Sequence, residues 1–183
     1  MLSPAHKEKV GRFLTAGEVR LLVLAVMTII AMIIISTQIE APLGLRNIAL
    51  FGHLGSLLIG FGSVLAIDWY GPLYLFRVVS MRSVLMQAHR MTPLIWLGLV
   101  GLTVTGGVLK PDLEFSLVVL KMCAVLGVAL VGVLALGSKR AMLRLDPALP
   151  RSLMLRGMVL TAASHSFWWT AVVVGFVTHQ ARH

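Results

Sequence analysis

Five apolar runs occupy most of the chain, over residues 21–37, 45–67, 93–109, 115–137 and 157–178. At about 1.5 Å per residue, helices of this length cross roughly 30 Å of hydrocarbon, where each backbone N–H and C=O must find its partner inside the segment. No other feature restricts the fold as strongly. The expected architecture is all-α: one polytopic domain over residues 1–183, a bundle of five transmembrane helices behind a tail at residues 1–20. The first and third runs reach only about 26 Å, so they should stand nearly upright or borrow flanking residues. Only 13% of the residues are charged, about half the share usual in soluble domains.

The basic residues set the expected orientation. Lys7, Lys9, Arg12 and Arg20 precede the first run. Arg77, Arg82 and Arg90 lie between the second and third, and Lys139, Arg140, Arg144, Arg151 and Arg156 between the fourth and fifth. The other side holds Arg46, Lys110 and Arg182, with Lys121 inside the fourth run. The positive-inside rule then places the N-terminus in the cytoplasm and the C-terminus outside, in a cell inner membrane. The net charge of +9 faces anionic lipid headgroups at the cytoplasmic surface. Nucleic acid is not an expected partner, because no interleaving of aromatic and basic residues is present. The first run, "LLVLAVMTIIAMIII", follows basic residues as a signal peptide would, but the "STQIEA" after it offers no clean A-x-A cleavage site. A retained first helix is expected.

Between the runs, "PLYLFRVVSMRSVLMQAHR" suits a helix on the cytoplasmic surface or an extension of the third span. "SKRAMLRLDPALPRSLMLR", interrupted by Pro147 and Pro150, reads as a surface loop, and "KPDLE" as an outer turn.

Ionisable residues inside apolar runs are costly and mark candidate sites. His53, Ser56, Gly60 and Ser63 share a stripe about 80° wide on the second helix. Gly52, Ser56 and Gly60 form a small-xxx-small run, the surface that lets helices approach closely in lipid. His53 should therefore face a neighbouring helix, about 12 Å below the outer surface. Two roles are open to it: a ligand or relay, or a neutral imidazole hydrogen-bonded between helices. His165 lies near the middle of the fifth run with Trp168 and Trp169 on its face, which could wall a flat cofactor or fill a core. Two intramembrane histidines raise the prospect of bis-imidazole haem b, although their expected depths differ by about 8 Å. Met122 and Cys123 are soft ligands suited to Cu(I) at the level of His53, with Met32 nearby, or else apolar filler. Lys121 can snorkel outward, and Asp68 sits at the cytoplasmic end of its span, paired with Arg77 or Arg82 or part of a proton path. His89 and His179 are placed at the interfaces, and His6 and His183 in the tails. The single cysteine excludes an internal disulfide and any CxxC motif. There is no nucleophile elbow, P-loop, HExxH or dinucleotide fingerprint, so soluble enzyme chemistry is not encoded, and electron transfer through haem is the most that is expected.

From "GHLGSLLIGFG" through "PLIWLGLVGLTVTGGVL" and "LVVLKMCAVLGVALVGVLAL" to the last run, the order of features resembles the copper-resistance protein D (CopD)-like bacterial membrane family and related uncharacterised multi-pass proteins. The resemblance covers residues 47–178 and implies an inner-membrane bundle that handles copper or carries haem, with His53 and Lys121 as the matching positions. The chain departs from it in having no His- or Met-rich outer segment and no acidic residue in its last span. Two other functions are compatible with the same residues. One is a non-catalytic subunit whose small-residue faces dock another membrane protein, and the other a small transporter using His53, Asp68 and Lys121. The orientation is checked with alkaline phosphatase fusions: a fusion after His183 should be active and one after Arg144 inactive, and the reverse would invert the topology.

Overall fold

The computed structural model describes residues 15–38, 40–110, 115–145 and 149–180. The expectations for His6, Lys7, Lys9, Arg12, Pro111, Asp112, Pro147, Arg182 and His183 fall outside these residues, as does the side chain of His179. The chain runs through α1 (Ala16–Gln38), α2 (Leu43–Asp68), a short α3 (Tyr70–Leu75), α4 (Met81–Val108), α5 (Ser116–Leu145) and α6 (Arg151–Gln180). The five long elements, with α3 continuing α2, are each long and apolar enough to cross a membrane. No strand occurs among the described residues.

Local chemistry sets the helix ends. Thr15 and Glu18 form a capping box on α1: the Thr15 N–H donates to Glu18 Oε2 at 2.9 Å and the Glu18 N–H to Thr15 Oγ1 at 3.3 Å. The break between α2 and α3 follows from Pro72, which has no N–H to give the carbonyl of Asp68 four residues earlier. Arg77, at φ 59°, then closes α3 with a Schellman pair, its N–H on the Tyr74 carbonyl and the Val78 N–H on the Leu73 carbonyl. Ser80 caps α4 by accepting from the Ser83 N–H at 3.2 Å.

Two expectations change here. Of the two readings of "PLYLFRVVSMRSVLMQAHR", residues 81–92 extend the third span and residues 72–75 belong to α3. The segment read as a surface loop at 138–156 is mostly helix, because α5 runs on to Leu145 and α6 begins at Arg151. Lys139, Arg140, Met142, Leu143 and Arg144 are straight-chain helix formers, and a basic last turn favours the helix C-terminus.

The helices pack as two close antiparallel pairs, α2 with α4 and α5 with α6, and α1 lies against α4 and α5. In the first pair the backbones themselves touch. A Cβ built on Gly98 would lie 2.5 Å from the Gly60 nitrogen and 2.7 Å from the Ser56 carbonyl, and one on Gly101 would run into the Ser56 hydroxyl. Further along, Gly52 faces Thr105. The small-residue stripe of α2 thus meets a matching stripe of α4 in the same chain. In the second pair, Phe167 lies over Gly127 and Met142 over Gly157. Every long helix contributes to the central apolar cluster of Ile29, Phe61, Val64, Leu99, Leu102, Val128, Ala129 and Trp168.

Gly98→Val should separate α2 from α4 and destabilise the bundle by about 1–3 kcal/mol, the usual range for overpacking. Gly55→Ala, at a position with nothing within 4 Å, should be nearly neutral. Thermal unfolding in detergent distinguishes the two, and equal stability of both variants would refute the close-contact seam.

Candidate functional site

The seam fixes His53. Its Nδ1 lies 2.9 Å from Thr105 Oγ1 on α4, and its Cε1 lies over Gly106, where a Cβ would be 3.4 Å away. The Thr105 hydroxyl donates to the Gly101 carbonyl at 2.5 Å, so toward the imidazole it acts as an acceptor. The Leu102 carbonyl beside the ring can also only accept. With Thr105 as the acceptor, a neutral ring carries its proton on Nδ1 and its lone pair on Nε2, the arrangement of a metal-ligating histidine held by an outer partner. Lys121 on α5 is within electrostatic range of the ring. On the α1 side, Met32 covers Gly107, the residue after Gly106. His53 and Met32 thus meet α4 at neighbouring residues near its end, and Lys121 acts on the ring through its charge. Of the soft-ligand pair, Cys123 is exposed on the outside of the bundle and does not join them. Three consecutive helical residues point in three directions, and Lys121 is the one whose charge reaches His53.

His165 belongs to a different level. Its Nε2 is 2.9 Å from Asp68 Oδ2. Asp68 follows His53 by 15 residues on the continuous helix α2, a rise of about 22 Å. Allowing for both side chains, the imidazoles stay roughly 10 Å or more apart, whereas two axial ligands of one iron stand about 4 Å apart. A haem shared by His53 and His165 is therefore excluded by the fold. Trp169 does not wall a pocket between them. It packs edge-on against Phe61 at 5.2 Å while half of it stays exposed, and Trp168 stacks on Phe61 at 5.6 Å in the core.

The partner of Asp68 also differs from the expectation. Among the described residues it pairs with His165, not with Arg77 or Arg82. The helix ends at Asp68, one residue past the expected boundary, and apolar helix resumes in α3 as far as Leu75, about 10 Å further along the chain. The 2.9 Å approach lacks good hydrogen-bond alignment, so Asp68 Oδ2 is a buried oxygen without a well-aimed donor, and Trp168 Nε1 is a buried donor without an acceptor.

Two further polar links were not anticipated. Lys139 Nζ donates to Thr92 Oγ1 at 2.8 Å, and Thr92 passes its own proton to the Ala88 carbonyl. Glu18, buried despite its charge, takes a charge-assisted bond from Arg140 while completing the α1 capping box. The sequence signal for Glu18 was the Thr-x-x-Glu spacing in "TAGE". His89 is exposed on α4, and Lys110 joins Glu40 in a surface ion pair at 3.1 Å, of little energetic weight.

No group of three or more His, Cys, Asp or Glu side chains converges to hold a metal among the described residues. A site at His53 would have to be of low coordination, with thioether in place of further nitrogen or oxygen ligands. That set suits Cu(I). No family model, curated protein or solved structure matches the chain.

Thr105→Val removes the acceptor of the His53 N–H in a buried setting and should destabilise the protein by about 1–3 kcal/mol. Thr105→Ser, which keeps the hydroxyl, should restore most of it. Denaturation in detergent reads both, and a neutral Thr105→Val would show that the bond carries no weight.

Proposed function

We propose that this multi-pass membrane protein handles copper as Cu(I) at His53, in the manner its resemblance to CopD-like proteins implies. It lies in the inner membrane with its N-terminus cytoplasmic, its basic loops meeting anionic headgroups and His53 in the outer third. One observation carries the reading: the ring of His53 is oriented by Thr105 so that Nε2 remains for a ligand. Met32, against the adjacent glycine, offers a soft donor from a second helix. Cu(I) accepts two or three such ligands, and a neutral imidazole needs no proton loss to bind it. Lys121 places a positive charge near the ring that opposes any cation there, so copper binding rests on the ligand bonds themselves. Haem has no part in this reading, since the two imidazoles occupy separate levels.

The test is anaerobic competition for Cu(I) against a chromophoric chelator, with the full chain in detergent. One Cu(I) per chain is expected. His53→Ala should abolish binding, Met32→Leu should weaken it at least tenfold, and His165→Gln and Cys123→Ser should leave it unchanged. Thr105→Val should weaken it by about 10–100-fold, as removal of an outer-shell partner does. Absence of stoichiometric copper, or binding indifferent to His53, would overturn the proposal.

A further inference from the structure

Asp68 and His165 play no part in copper binding, yet they make the one ion pair between α2 and α6 among the described residues. Elsewhere these two helices touch through aromatic side chains, with Trp168 against Gly60 and both tryptophans against Phe61. The contact thus joins the α2–α4 pair to the α5–α6 pair on the side away from α1. Two buried polar atoms on this interface lack hydrogen-bond partners, Asp68 Oδ2 and the indole N–H of Trp168, a residue only 2% exposed.

The charge of the Asp68–His165 contact depends on the protons it holds. With one proton, the pair is either carboxylate with imidazolium or carboxylic acid with imidazole, and in both forms it is neutral overall. With none it leaves a net negative charge in a poorly solvated place, and with two a net positive one. Nearby ionisable groups do not offset either state. Lys139 on α5 is bonded to Thr92 and Arg140 to Glu18. Arg82 and Arg90 on α4 line a groove with Tyr70 of α3, His89 is exposed, and Arg156 on α6 has a contact of its own. None of them forms an ion pair with Asp68 among the described residues. The bundle leaves 24% and 28% of the two side chains uncovered.

We propose that Asp68 and His165 form a one-proton binding site that clasps the α2–α4 pair to the α5–α6 pair and releases it when the proton is lost or a second is gained. In uptake, a hydronium ion gives its proton to the carboxylate–imidazole pair and leaves as water, and release is the reverse. This goes beyond copper binding and does not depend on it.

Trp168 and Trp169 lie one helical turn from His165 and report on the clasp by fluorescence. In the full chain in nanodiscs without metal, tryptophan emission should show a pH transition of single-proton steepness. His165→Gln should abolish it. Asp68→Asn should displace it, because the imidazole loses its charged neighbour. Asp68→Glu keeps the carboxyl and should keep the transition, while moving the carboxyl band in the infrared difference spectrum across it. The exchanged double variant Asp68→His/His165→Asp should restore what the single changes remove. A wild-type protein with no transition, or one whose transition survives unchanged in both Asp68→Asn and His165→Gln, overturns the proposal. Should those variants fail to fold, a wild-type infrared difference spectrum without a carboxyl band overturns it equally.

Discussion

The close approach of α2 and α4 governs the rest of the molecule. In lipid, apolar side chains gain little by leaving one hydrocarbon environment for another, so helix association depends on fit and on the few polar contacts available. Gly60 against Gly98, with Ser56 against Gly101, brings two backbones into contact. The hydroxyls along the seam are already bonded within their own helices, Ser56 to the Gly52 carbonyl and Ser63 to that of Ile59. They can therefore be buried without a partner across the gap. The same approach leaves room for Trp168 to reach Gly60 from the other side, and it places Thr105 within reach of His53.

With apolar packing so uniform, the polar residues set the distinctive levels of the bundle. Among the described residues, each intramembrane group of interest has a side-chain partner on another helix: His53 has Thr105, Asp68 has His165, Lys139 has Thr92 and Glu18 has Arg140. Between the levels of His53 and Asp68 lies the apolar cluster around Phe61, Leu99, Val128 and Trp168. Apolar packing therefore separates these two polar contacts. The small-residue face that could have docked a foreign helix is occupied by α4 of the same chain.

Much of this was legible from residue spacing. The five spans follow from run length, and the seam follows from Gly52, Ser56 and Gly60 at four-residue intervals, which also turned His53 toward a neighbour. Helix ends were less legible, since Lys139 to Arg144 look like loop composition but sit on the last turns of a helix that extends beyond the apolar run. The meeting of Asp68 and His165 was hidden for another reason. It depends on how far α2 and α6 slide past one another, which is set by Trp168 seating on Gly60 and by α3 prolonging the apolar stretch beyond Trp69. Neither is a property of one helix alone. Cys123 and Lys121 show the same limit at smaller scale, because adjacency in sequence places them on different sides of α5.

Glu18 and Arg140 are 122 residues apart, and this separation has a consequence in time. As synthesis proceeds from the N-terminus, the first helix is complete while its cationic partner has yet to be made. Until α5 arrives, α1 has its own capping box but no charged anchor to the bundle. The α2–α4 seam, by contrast, is available as soon as α4 is finished. The order of translation therefore favours a glycine-joined hairpin as the earliest tertiary unit, with α1 fastened later, when the fourth long helix brings the guanidinium that its carboxylate lacks.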